Sequence, residues 1–148
     1  MRHITATAVA LVVGLTGVAG ACSSSSSAGT CTGVVSGQDP VALAATAATL
    51  PGQAGVFTVQ AEDSSTVPGT KEVTVKVCAG ENVDPATVAY PVAKAVQASG
   101  QPVSVLTVTT WTSNEKQTGT ARAENFQATD WATVTSDDGT TAWTITEN

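Results

Sequence analysis

The sequence predicts a single α+β domain, an antiparallel sheet of four to six strands with two short helices on one side, and three observations predict it. Two Asp-Pro pairs, Asp39-Pro40 and Asp84-Pro85, open short runs rich in Ala and Val. Between and after them, Val alternates with Thr and Lys at the two-residue period of a half-buried strand. Near the end, Asp138-Gly139 separates two alternating segments as a tight hairpin turn does. A small β-sandwich with peripheral helices is the alternative arrangement of the same elements.

The elements follow in chain order. Asp39 can cap free amides while Pro40 takes the first helical position, so a helix runs through Val41, Leu43, Ala44, Ala47, Ala48 and Leu50 to the stop at Pro51-Gly52. Phe57, Val59 and Ala61 then alternate with Thr58 and Gln60, which predicts a strand with the apolar set facing the core. After a loop over Ser64 to Thr70, Val73, Val75 and Val77 alternate with Thr74 and Lys76 in a second strand. Asp84-Pro85 starts a second helix, in which Val88, Val92 and Val96 recur at four-residue intervals up to Ser99-Gly100. Pro91 removes a backbone donor inside it and predicts a kink or a restart after Tyr90.

Val103 to Thr112 reads as a central strand covered on both sides, with Val103, Val105 and Trp111 on one face and Leu106 and Val108 on the other. Ser113 to Gln117 is a polar turn, and Thr118 to Gln127 returns antiparallel. The final hairpin places Val134 opposite Trp143 and Ala132 opposite Ile145. Its other face is Thr-rich and carries Trp131, Thr133 and Thr144, three candidates for contact with a ligand or partner. Coverage of that face by the helices would instead make Trp131 a core residue. A helix-strand-strand order recurs after each Asp-Pro pair, which raises an internal duplication against chance reuse of common capping and stop residues.

Composition excludes several kinds of chemistry. The only histidine is His3. Catalysis that needs imidazole, and zinc sites that need it, therefore have no ligand or base in the rest of the chain. Ser113 to Lys116 fits the spacing of serine-lysine acyl enzymes but falls in a polar connection rather than on a buried helix. Glu62-Asp63 and Asp137-Asp138 are the paired carboxylates on which a hydrolase could rest, and both fall in expected turns. No cofactor and no metal is expected. Twelve carboxylates against six cations give a net charge of −6, which repels nucleic acid.

The N-terminal segment is more specific. Met1-Arg2-His3 is a short cationic start, Ile4 to Val18 an apolar run too short to span a bilayer, and Ala19-Gly20-Ala21 a small-residue site directly before Cys22 and five serines. This pattern resembles the lipobox of bacterial lipoproteins, and the Ala, Thr, Val and Gly bias resembles small envelope lipoproteins of actinobacterial type. Ala19 stands where that family usually has a larger aliphatic residue, and Ala19-x-Ala21 also suits ordinary signal peptidase.

The resemblance implies that residues 1–21 are a signal peptide, that the Cys22 thiol carries a diacylglyceryl group, that 22–30 is a Ser-rich tether, and that 31–148 is the domain. Cys31 and Cys78 then remain as one pair for a disulfide in an oxidising compartment. The expected function is that of a non-catalytic, lipid-anchored envelope protein at the outer face of the cytoplasmic membrane, binding an unidentified protein or small-molecule ligand. A tethered inhibitor or exclusion factor against a hydrolase or phage component is the alternative, and a carboxylate-based hydrolase the third reading.

Overall fold

The computed structural model of the chain describes residues 31–33, 35, 38–134 and 142–148. Residues 1–30, with the lipobox and Cys22, lie outside the described residues, as do Thr135 and the Asp138-Gly139 turn. Five strands form one sheet in the order β1-β2-β3-β4-β5. They are β1 (Gly55–Asp63), β2 (Lys71–Cys78), β3 (Val103–Ser113), β4 (Lys116–Ala123) and β5 (Thr144–Glu147). Helices α1 (Pro40–Thr46) and α2 (Pro85–Ala98) pack on one face, and a 3-10 turn, Phe126–Ala128, follows β4. The α+β class expected from the sequence is the class observed.

Both helix starts form as the Asp-Pro pairs predict. Asp39 Oδ1 accepts from the Val41 amide and Asp84 Oδ1 from the Ala86 amide, each at 2.9 Å. α1 ends at Thr46, short of the expected Leu50, and buries Val41, Ala42 and Ala45 while Leu43 stays 54 % exposed. Those small side chains let α1 lie close to α2 and β1. α2 runs through Pro91 as one helix, burying Val88, Ala89, Val92, Ala93 and Val96, and stops at Ser99 with Gly100 at φ 70°, a conformation glycine adopts without strain.

Because α2 carries the chain back across the sheet, β2 and β3 are parallel; the other neighbouring pairs are antiparallel. That parallel pair departs from a purely antiparallel sheet and also bears on the duplication. β1 and β3 run in opposite directions while α1 and α2 share one core layer. No single rotation can superpose the two helix-strand-strand units with strand order and helix side both kept, so the repeated order is not a structural repeat.

Two irregularities redistribute side chains between the faces. A bulge between Val56 and Thr58 turns Phe57 away from the helices, so Phe57 packs with Cys31, Cys78 and Trp111 instead of with Val59 and Ala61. A second, where Lys71 and Glu72 pair with Val103 and Val105, puts Val103 with Leu106 and Val108 beneath the helices and leaves Val105 and Trp111 on the other side. Beneath the helices lie Val59, Val73, Val75, Val77, Leu106 and Val108.

The expected final hairpin does not form. Residues 131–133 are turn, and β5 pairs with β4, setting Ile145 against Ala121 and Thr144 against Arg122. Asp130 organises that turn: its Oδ1 accepts from the Ala132 amide, and its carbonyl from the amides of Thr133 and Val134. Trp131 and Trp143 then enter the core from one side, with centroids 4.7 Å apart, and Phe126 stacks on Trp131 at 5.3 Å.

Candidate binding face and its bordering cleft

The face of the sheet away from the helices is built by alternation. Where Val, Leu, Ile or Ala points into the core, the following strand residue points out, and Thr74, Thr107, Thr109 and Thr146 stand at such positions. Register brings these residues into two rows across all five strands. One row is Gln60, Thr74, Thr107, Arg122 and Thr144; the next is Thr58, Lys76, Thr109, Thr120 and Thr146. Seven of the ten are threonines and none is a carboxylate, while Glu62 and Glu72 face each other in the next row of the same side and Glu124 follows Arg122 by two residues. The described helices pack on the opposite side.

Part of this face is fixed by its own bonds. Arg122 donates through an Nη to Thr107 Oγ1 at 3.1 Å, Gln117 Nε2 to Thr120 Oγ1 at 2.8 Å, and Trp111 Nε1 to Thr109 Oγ1 at 2.8 Å. Lys76 Nζ sits 5.1 Å from the centre of the Trp111 ring, a cation over a π face. The hydroxyls of Thr74, Thr144 and Thr146 have no hydrogen-bond partner among the described residues, which leaves each a donor and an acceptor for something outside the chain.

One end of the face is stapled. The Cys31–Cys78 disulfide, expected once Cys22 is set aside, joins the first described residue to the end of β2. Phe57 and Trp111 pack against it and meet each other edge to face. Thr32 is held at the β3–β4 turn, its amide donating to Asn114 Oδ1 at 2.6 Å and its carbonyl accepting from Asn114 Nδ2 at 2.6 Å.

At the β4–β5 end the face borders a polar cleft of about 270 Å³ lined by Arg122, Glu124, Asn125, Thr129, Ala142, Trp143 and Thr144. Glu124 Oε1 lies 3.4 Å from Arg122 Nε. Trp143 is 5 % exposed, and its Nε1 is buried with no acceptor, the single such side-chain atom among the described residues. A second cavity of about 390 Å³ opens between the start of α2 and β4, where Lys116 Nζ meets Glu81 Oε1 at 2.7 Å and holds the Glu81 carboxyl below its usual range.

The candidate contact residues do not form one patch. Trp131, for which both an outward contact and a core position were open, takes the core position: it is fully buried and donates its indole N–H to the Phe126 carbonyl at 3.0 Å. Thr133 is exposed, but it lies in the turn, with its hydroxyl on the Asp130 carbonyl. Thr144 does lie on the Thr-rich face, beside Arg122 and at the rim of the cleft.

Nor do Glu62 and Asp63 converge. As neighbours on β1 they point to opposite sides, Glu62 across from Glu72 and Asp63 3.8 Å from Lys71. Asp137 and Asp138 lie outside the described residues. No group of three or more His, Cys, Asp or Glu is placed to hold a metal ion among the described residues.

No protein-family model matches this chain, and no curated protein or solved structure matches it.

Proposed function

We propose that this is a non-catalytic, lipid-anchored protein of the cell envelope, held at the outer face of the cytoplasmic membrane through a diacylglyceryl group on Cys22, which binds a partner or ligand with the open face of its sheet. The observation that carries the binding reading is the pair of threonine rows, which cross five strands and leave hydroxyls over after the internal bonds are made. The anchor reading rests on the signal segment ending in Ala19-Gly20-Ala21-Cys22.

Fractionation and native mass spectrometry of the full-length protein, extracted from its own envelope in mild detergent, test both parts. The expected species begins at Cys22, carries acyl mass, partitions with membranes and retains a bound molecule. Replacing Cys22 with Ser should move the protein to the soluble fraction, and persistent membrane association of that variant would overturn the anchor. A species without any bound molecule would shift the reading toward transient recognition of a protein partner.

A further inference from the structure

We infer that the outer edge of β5 is a second docking site, separate from the threonine face, and that it takes an extended peptide with a basic residue near its N-terminus, added to the sheet as a sixth strand. The register exposes that edge. Thr144 and Thr146 pair with Arg122 and Thr120, and the Asn148 amide continues the ladder to the Thr118 carbonyl at 3.1 Å. Backbone bonding alternates along an antiparallel strand, so Ile145 and Glu147 turn their N–H and C=O groups away from β4. Those groups have no hydrogen-bond partner among the described residues. The opposite edge of the sheet is covered instead: Val35 bridges to Val59 of β1, and Gly33 lies so close to the Phe57 carbonyl that a Cβ would collide with it.

The two cavities flank the β5 edge and give the peptide its chemistry. Glu147 and Asn148, at the end of β5, line the cavity of about 390 Å³; Ala142, Trp143 and Thr144, at its start, line the cleft of about 270 Å³. From Trp143 to Asn148 an extended chain covers about 17 Å, the reach of a hexapeptide. A peptide antiparallel to β5 sets its N-terminal side chains at the larger cavity, where Glu81, Asp84 and Glu147 stand against Lys116. Glu81 is engaged by Lys116 and Asp84 Oδ1 caps α2, while Glu147 is exposed with no ion pair among the described residues. That surplus carboxylate matches a lysine or arginine side chain directly across the strand pair. At the other end, the Trp143 Nε1 without an acceptor and the unbonded Thr144 hydroxyl favour a polar side chain. A second copy of this chain fits less well. Ile145 and Glu147 lie on the helix side of β5, so pairing two copies through this edge would put both Glu147 carboxylates on one side. So short a strand also buries far less than the roughly 1,000 Å² that a stable dimer needs.

Titration of the full-length protein in mild detergent with three capped hexapeptides tests this: Thr-Lys-Thr-Val-Thr-Asn, whose Lys falls opposite Glu147; the same peptide with Glu in place of Lys; and the Lys peptide N-methylated at its second and fourth residues, which removes its donors to β5. The Lys peptide should bind, the Glu peptide at least tenfold more weakly, and the methylated peptide not measurably. Hydrogen exchange of the Ile145 and Glu147 amides should be fast in the free protein and slow at least tenfold with the Lys peptide bound. Glu147→Gln should keep binding but erase the preference for Lys over Glu. Glu147→Pro, which removes an outward donor from an edge strand and leaves the ladder to β4 intact, should abolish binding, with thermal unfolding confirming that each variant folds. Failure of the Lys peptide to bind, or equal binding of the methylated one, would overturn the inference. So would slow exchange at Ile145 and Glu147 in the free protein, which would mean that this chain covers its own edge, or protection that grows with protein concentration, which would assign the edge to a second copy. The site lies on the edge of the sheet and not on its threonine rows, so these outcomes are independent of the open-face reading and of the Cys22→Ser fractionation.

Discussion

Asp39 shows how much one side chain contributes at the residue scale. Its Oδ1 caps α1, and its Oδ2 lies 3.0 Å from Lys71 Nζ at the start of β2, so one carboxylate ties the first helix to the sheet. The hydrogen bond from Lys71 holds the Asp39 carboxyl below its ordinary value of 3.8, opposed by partial burial, and the same contact raises Lys71. A lowered native value means that Asp39 stabilises the fold fully above about 3.8 and loses that contribution as pH falls through the lower native value. Asp39→Asn, which keeps a good cap, should flatten the acid limb of a stability-against-pH curve; Asp39→Ala should in addition cost about 1 kcal/mol in urea unfolding at neutral pH. Trp131 is the core counterpart. Replacing it with Ala empties the space between Phe126 and Trp143 and should cost about 3–5 kcal/mol. Gly119 acts through absence: a Cβ there would meet the Pro85 ring at 2.5 Å, so Gly119→Ala should force α2 from β4 and lower the melting temperature measurably.

Among the elements, helix starts were legible and strand faces only partly so. An N-cap is a local device, complete within four residues, and both Asp-Pro pairs state it. A bulge is not local. Whether Phe57 shares a face with Val59 depends on how β1 registers against β2, and the extra residue there sends Phe57 to the disulfide. The final hairpin failed for a related reason. Alternation around Asp138-Gly139 is compatible with pairing, but Trp131 and Trp143 gain more by filling one end of the core than by standing in opposite strands, and the Asp130 turn allows both to enter it. The disulfide acts at this scale too, because it fastens an otherwise lone N-terminal segment across the sheet. Cys31→Ser with Cys78→Ser closes no loop in the unfolded chain and should lower stability by about 4 kcal/mol on the loop-entropy model, read by urea unfolding. Trp111, losing its cover, should shift its fluorescence to the red.

Over the whole molecule, helices and sheet divide the chemistry between two sides. One side is a core of Val, Ala and three packed aromatics; the other is a threonine-rich face on which Lys76 and Arg122 stand with Glu62, Glu72 and Glu124. The candidate site was half legible: Thr-x-Thr spacing at Thr107, Thr109, Thr144 and Thr146 announces a threonine-lined side, and Thr144 was among the expected contacts. Its completion needed the sheet order, since the rows draw on five strands that are up to 88 residues apart in sequence, from Thr58 to Thr146. By itself the sequence determined the α+β class, both helix starts, the alternation that gives each strand a polar side, and the cysteines available for a bridge, because caps, periodicity and residue counts act over a few residues or over none. Only the tertiary structure decided that β2 and β3 run parallel, that Phe57 leaves the side expected of it, that Trp131 joins the core rather than the open face, and that scattered threonines meet in register. Those outcomes depend on which surfaces exclude water together, and that competition is settled among all elements at once.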